Sequence, residues 1–382
     1  MNTPLRSSYT TIKLLFCFMS SFFLTPLLAA ELIQPGMPHS PGSSQYIEVY
    51  AHRGARGLAP ENTVHAYQKG LAIGTDWVDM DIGITRDGVL VVYHDLFLNP
   101  DILRKNGKFW AKDKTGFLQQ LTEAPGGIEK NIQPYLIKNL SLEELQQYDA
   151  GRLNPDSSYA RYFQRQEGVD GIKVPTLKEV ITTVNKITDQ HAFFQIEIKN
   201  DPTHLTWTVS REKFATTLDH FLRKNKLVNR VEIQAFDWKV LMKLHQLNPD
   251  LKLAFLVTKD GITKMHDPDP AKARLWTGGY LLTDYKSSIP QMIKDLGGSC
   301  YEPEDRALTK EDLEEAHRLG LKVVVWTWPE VAGSTFDPPM INKLISWGVD
   351  GIITDDPDKL RASLADHGLP LPPSYPSAYP GN

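Results

Sequence analysis

From residue 47 onward, short apolar runs alternate with stretches whose apolar residues carry helical spacing. The runs predict eight strands, at 47–51, 77–85, 192–198, 230–236, 252–257, 299–302, 322–328 and 351–354. Between them the pattern predicts helices at 63–73, 177–187, 211–225, 239–247, 290–296, 310–319 and 339–347. Thr176 before Glu179 and Thr309 before Glu311-Asp312 are N-cap signatures, and Gly320 and Gly348 stand where a helix should end. Eight strands alternating with helices predict an α/β chain folded as a (β/α)₈ TIM barrel, with a doubly wound open sheet as the competitor. The barrel is favoured because residues with chemical potential recur at the C-terminal ends of several strands. An open sheet would gather its ligand at one switch point.

One stretch breaks the rhythm. Between His94 and Thr176 lie about 80 residues, far beyond a βα connection of roughly 2–6 residues. The segment, about 96–175, reads as a subdomain inserted after the second strand and its hairpin, placed over the barrel mouth. Its aromatic content is too high for a disordered loop. The barrel domain is thus expected over 47–365, followed by a Pro-rich tail at 366–382. Residues 31–46 (ELIQPGMPHSPGSSQY) read as a linker. Ahead of it, Arg6 and Lys13 precede an apolar region at 14–28, and Ala29-Ala30 offer small residues for cleavage. That is the pattern of a signal peptide over 1–30, so a periplasmic or secreted protein is expected. The apolar region is short for the ~20 residues of a spanning helix, and no later segment suffices, so no stable membrane span is expected. Cys17 falls inside this segment, and Phe16 before it speaks against a lipoprotein site. Cys300 is then the one mature cysteine, so no intramolecular disulfide is expected. Some 350 residues can bury an adequate core without one.

Charge narrows the partners. A formal net charge of −4 argues against a nucleic-acid binder but leaves room for a small anionic substrate met by local basic residues. Two histidines, His52 and His94, each end an apolar run and can carry protons near operating pH. Asp79 and Asp81 lie two apart and share one strand face, where paired carboxylates resist burial unless a cation bridges them. Glu197 on the next barrel strand makes three oxygen donors, a set suited to one hard divalent cation, Ca²⁺ or Mg²⁺. Ca²⁺ is favoured because an exported enzyme would meet it; the two histidines as zinc ligands are the lesser alternative. Lys199 shares the strand face of Glu197 and would meet an anion there, while Arg53 offers a planar fork for phosphate. In Glu61-Asn62-Thr63, one of Asn62 and Thr63 is expected to cap the first helix, with Glu61 a candidate for the metal pocket. Asp95 could orient a histidine or cap a turn. Together these residues are what metal-assisted phosphoryl chemistry requires.

The motifs HRG, PENT, D-x-D and HD, carried by residues 52–95, closely resemble the glycerophosphodiester phosphodiesterase family. Glu197-Ile198-Lys199, Gln234-Ala235-Phe236, Trp326-Thr327 and Asp350-Gly351 through Asp355-Asp356-Pro357 are similar to its later strand motifs, in the same order. The resemblance spans roughly residues 47–360, and the insertion falls where that family carries one. It implies metal-dependent hydrolysis of a small-molecule glycerophosphodiester to an alcohol and sn-glycerol 3-phosphate. His52 and His94 would serve as general base and acid, and Trp326 and Phe236 would contact the glycerol face or fill the barrel top. The nucleophile is water or the neighbouring glycerol hydroxyl, the latter by way of a cyclic phosphate. Two departures stand out. The family usually has Glu-x-Asp where this chain has Asp79-Met80-Asp81, and Ala235 stands where Ser is common. The shorter Asp79 implies a weaker or differently selective metal site. The alternatives are hydrolysis of lipid phosphodiesters of lysophospholipase D type, and a non-catalytic glycerophosphodiester-binding protein. Retention of both histidines, Glu197 and Lys199 speaks against the latter. The sequence sets neither headgroup preference nor oligomeric state.

Overall fold

The computed structural model describes residues 46–327, 333 and 335–379, together with Met1. The expected signal segment beyond Met1, and the linker up to residue 45, lie outside them. In chain order the strands are β1 (Glu48–Ala51), β2 (Trp77–Ile84), β3 (Leu90–Val92), β4 (Arg104–Lys105), β5 (Tyr148–Asp149), β6 (Phe193–Ile198), β7 (Val231–Ala235), β8 (Lys252–Val257), β9 (Cys300–Pro303), β10 (Lys322–Trp326) and β11 (Gly351–Thr354). Strands β2, β6, β7, β8, β9, β10, β11 and β1 pair in that order, all parallel, and β1 returns to β2 to close the barrel. The eight expected strands are the eight of the barrel. β3 lies antiparallel on β2 as a hairpin, Ile82 opposite Val92.

Burial on both faces explains why these strands read as apolar runs rather than as clean alternation. Outward residues such as Val49, Phe194, Ile196, Ile233 and Val323 join the core beneath the helices. Inward residues Tyr50, Trp77, Ala254, Cys300 and Val324 form a second cluster inside the barrel. The same two-residue period carries polar groups inward. Toward the strand starts, Lys322 Nζ lies 2.5 Å from Glu48 Oε2, and Gln195 donates to Glu232 (3.1 Å) and to Glu302. Toward the strand ends the period points Asp79, Asp81, Glu197, Gln234 and Trp326 into the mouth.

The segment between β3 and the helix at Leu177–Ile187 folds into short elements: the β4–β5 pair and helices Lys114–Glu123, Gly127–Asn131, Leu142–Leu145 and Ser158–Tyr162. It buries two small cores, one around Tyr93, Leu98, Leu103 and Leu145, the other around Phe97, Phe117, Ile132 and Leu136. The second also takes in Trp207, from the loop after β6. Three further helices went unread in the sequence: Lys259–Met265, Pro270–Ala273 and Pro357–Asp366. The first two are short and mostly polar, so helical periodicity has little to mark; the third opens on a proline at its first position. The tail packs as far as residue 379. The Tyr375 N–H donates to the Leu71 carbonyl (2.8 Å), and Tyr379 Oη lies 2.7 Å from His65 Nε2. Among the described residues no helix is long and apolar enough to cross a membrane, and Cys300 is a free, buried thiol.

Candidate active site

The site starts where β1 ends. The chain turns sharply through His52–Gly54, with Arg53 at φ +50°, Gly54 at +87° and Ala55 at +97°. Glycine is required at 54: a Cβ there would sit 2.8 Å from the backbone of Ala66 and Tyr67 in the first helix, Val64–Ile73. This turn aims the Arg53 N–H at Asp79 Oδ2 (2.9 Å) on the neighbouring strand. The Arg53 guanidinium lies between Glu61 Oε1 (2.7 Å) and Asp81 Oδ2 (3.2 Å). Lys199 completes the charge pattern, with Nζ 2.5 Å from Glu197 Oε1 and 3.5 Å from Asp81 Oδ1.

His52 Nδ1 lies 2.6 Å from Asp355 Oδ1, just past the end of β11. Asp355 also accepts two bonds from Arg56, from Nε (2.9 Å) and Nη2 (2.8 Å). Burial opposes its charge, yet Arg56 and His52 hold the Asp355 carboxyl well below the usual carboxylate range. An ionised Asp355 fixes the proton of His52 on Nδ1, which leaves Nε2 for proton transfer. His94, just past β3, has Nδ1 3.6 Å from Asp95 Oδ2. Asp95 in turn accepts from Asn99 (2.9 Å) and Lys114 (3.2 Å) of the insertion. Burial and cationic neighbours, Arg56 for His52 and Arg53 for His94, push both imidazoles down to about 4. Both are therefore neutral at pH 7.

The carboxylates are unequal. Burial, then Asp81, raises the proton affinity of Asp79, and burial raises Glu197 to about 7 against the pull of Lys199. Asp81 is as buried, but Arg53 and Lys199 hold it low. Three buried oxygen donors carrying an excess of negative charge are the chemistry of a hard-cation site, and the residues fit one. Their present partners draw them apart: Asp79 accepts from Gln234 (2.8 Å), Asp81 from Asn62 (2.6 Å), and Glu197 meets Lys199. Among the described residues, the group that brings three donor atoms within 4.8 Å of one another is Glu232, Cys300 and Glu302, deeper in the barrel.

The remaining candidates divide. Thr63 caps the first helix, its hydroxyl accepting from the Ala66 N–H (3.1 Å), while Asn62 at φ +56° holds Asp81. Glu61 bonds Arg53 and the Tyr159 hydroxyl of the insertion, so it braces the arginine. Phe236 and Trp326 meet edge-to-face at 5.9 Å, and the Trp326 indole N–H donates to the Glu302 carbonyl (3.2 Å). Phe236, with His94, Glu197 and Lys199, lines a cleft of about 380 Å³ that leads away from the site; Trp326 does not line it. Asp355, Arg56, Gln234 and Tyr159 had no assigned role in the sequence. The signal for Asp355 was barrel closure: Ala51 pairs with Thr354, so the residues that follow them stand side by side.

A closed barrel with two oriented imidazoles, an acidic cluster and two cations at its strand ends defines an enzyme for an anionic substrate. Residues 52–359 match the model of the "glycerophosphoryl diester phosphodiesterase family", and the chain belongs to that family. It is similar to a glycerophosphodiester phosphodiesterase of Bacillus subtilis, 27% identical over 88% of this chain and 91% of the relative. A protein of the same description from Bacillus altitudinis is 27% identical over 82% and 96%. Among solved structures, a putative glycerophosphoryl diester phosphodiesterase from Silicibacter pomeroyi superposes with TM-score 0.69 at 27% identity, over 88% of this chain and 98% of that one. An Oleispira antarctica phosphodiesterase shares the fold at TM-score 0.51 and 19% identity, over 84% and 97%.

Proposed function

We propose that this glycerophosphodiester phosphodiesterase hydrolyses its substrates to an alcohol and sn-glycerol 3-phosphate by proton transfer through His52 and His94, with one divalent cation. The observation that carries the reading is the Asp355–His52 bond of 2.6 Å, which sets one imidazole as a neutral proton acceptor beside the acidic and basic cluster. Held neutral, one histidine takes the proton of the nucleophile. The other returns a proton to the departing oxygen, and the arriving phosphodiester anion favours its charged form. Arg53 and Lys199 would meet the nonbridging phosphate oxygens. Asp79, Asp81 and Glu197 would hold the cation, Ca²⁺ in preference to Mg²⁺, which supplies further neutralisation of the phosphate charge. Residues 1–30 act in this reading as an export signal, which places the mature enzyme in the periplasm or outside the cell and makes Ca²⁺ available to it.

The test is release of sn-glycerol 3-phosphate from glycerophosphocholine by the mature protein, in chelator and after Ca²⁺ or Mg²⁺ is restored. Activity should require the metal and fall by roughly 10²–10⁴-fold in His52→Ala. Full activity in chelator would remove the metal from the reading, and an active His52→Ala would remove the histidine.

A further inference from the structure

Deeper in the barrel than the active site lies a second cluster of donors. Cys300 and Glu302 are two apart on β9, so their side chains share the inward face. Glu232 on β7 reaches the same place, and one donor atom from each of the three lies within 4.8 Å of the others. On β8, the strand between them, Ala254 pairs with Cys300 and turns inward beside it. Its small side chain leaves space between the donors. Gln195 joins from β6, where it pairs in register with Glu232. Gln195, Cys300 and Glu302 are 0% exposed and Glu232 is 1% exposed, so bulk water reaches none of them.

Charge is the first mark of a ligand here. Three buried carboxylates, Glu48, Glu232 and Glu302, surround Lys322, the one lysine buried among the described residues. Its Nζ sits 2.5 Å from Glu48 Oε2. Glu232 and Glu302 share the neutral amide nitrogen of Gln195 instead, with the Cys300 Sγ 3.9 Å from Glu302 Oε1. Buried negative charge in excess of its partners is costly unless a cation joins it. Unfilled bonding capacity is the second mark. Glu302 Oε2 and Gln195 Oε1 are buried and have no hydrogen-bond partner among the described residues. Protein interiors seldom leave such atoms unpaired. The Gln195 amide already points between the two glutamates, and turning it about its last bond offers them Oε1 in place of Nε2. The cluster then has four donors: one sulfur and three oxygens.

We infer that Glu232, Cys300, Glu302 and Gln195 form a structural site for one zinc ion, separate from the hard-cation site at the barrel mouth. A thiolate with three oxygens suits a borderline-soft ion held tetrahedrally. It disfavours Ca²⁺ and Mg²⁺, which take oxygen donors. Cys300 binds as the thiolate, its proton passing to water as the ion enters. With no access from solvent, the ion is taken up as the chain folds, and it ties β6, β7 and β9 together from within. Four protein donors leave no open position for substrate, so the ion takes no part in hydrolysis.

The test uses the full chain carrying Cys17→Ser, which leaves Cys300 as its one thiol. The protein is produced in medium supplied with zinc, or with Co²⁺ in its place, and washed with excess Ca²⁺ to displace either ion from the oxygen donors at the mouth. About one zinc per chain should remain by elemental analysis, and Glu302→Gln should lose most of it. The cobalt form should show the intense near-ultraviolet band of a thiolate bound to Co²⁺, which the oxygen and imidazole groups at the mouth do not produce. That band is read on protein with the zinc ligands intact, so it decides the assignment even where Glu302→Gln fails to fold. Folded protein that retains no zinc, or that holds cobalt without the band, would overturn the site.

Discussion

His52 depends on a carboxylate that its own strand does not supply. Asp355 holds Nδ1 from the far side of the barrel seam, and Arg56 holds Asp355 with two further bonds. An amide at 355 would keep the shape but lose the charge that fixes the proton on Nδ1. Asp355→Asn should therefore lower kcat by about 10³–10⁴-fold, the scale seen when the carboxylate orienting a catalytic imidazole becomes an amide. KM should change little, because Asp355 touches His52 and Arg56 rather than substrate. A loss confined to KM would show that 355 serves binding and not orientation. At this scale the sequence was legible where residue type and spacing imply the chemistry, as with Asp79 and Asp81 on one face. It was silent where a partner is hundreds of positions away. Asn62 shows the same limit: one residue of the Asn62-Thr63 pair had to cap the helix, but only the fold shows Thr63 capping it while Asn62 turns to Asp81.

The turn between β1 and the first helix carries the site at the level of elements. It presents His52 and Arg53 only because the backbone passes through three successive left-handed residues against that helix. Gly54→Ala would put a Cβ 2.8 Å from backbone atoms that cannot yield, on a residue at φ +87°. The expected cost is about 3 kcal/mol, from ~1 kcal/mol of left-handed backbone and the rest from overpacking. Urea unfolding would measure it, and a cost under ~1 kcal/mol would mean that the turn relaxes easily. Elements with strong period or full burial were readable, hence all eight barrel strands. The insertion could be located but not resolved, because its elements are two to ten residues long and owe their order to small cores shared with the barrel. Between β8 and β9 the helix at Ile289–Asp295 was readable, but Lys259–Met265 and Pro270–Ala273 are short and polar and stand on tertiary packing that local pattern does not encode.

The closed ring is a property of the whole molecule, and in it β1 and β2 share two register pairs, Tyr50 with Trp77 and Ala51 with Val78. Asp76 reinforces that seam. It accepts from the Val49 N–H (2.8 Å) and the Tyr46 hydroxyl (2.5 Å), and its own N–H donates to the Val49 carbonyl (3.0 Å). Burial, with Glu48 nearby, raises its carboxyl to about 7. In the unfolded chain an aspartate titrates near pH ~4. Between those values the folded protein binds more protons than the unfolded chain, so stability falls as pH rises. The contribution is present in full below pH ~4 and is gone once pH passes about 7, a change on the order of a few kcal/mol. Asp76→Asn mimics the protonated side chain and keeps an acceptor for Val49, so it should unfold with a shallower pH dependence over that window. Glu197 also titrates near 7 in the folded protein, which makes the difference between the two slopes the informative quantity. Identical slopes for both proteins would show that Asp76 is ionised in the folded seam and that hydrogen bonds, not a retained proton, close the barrel there.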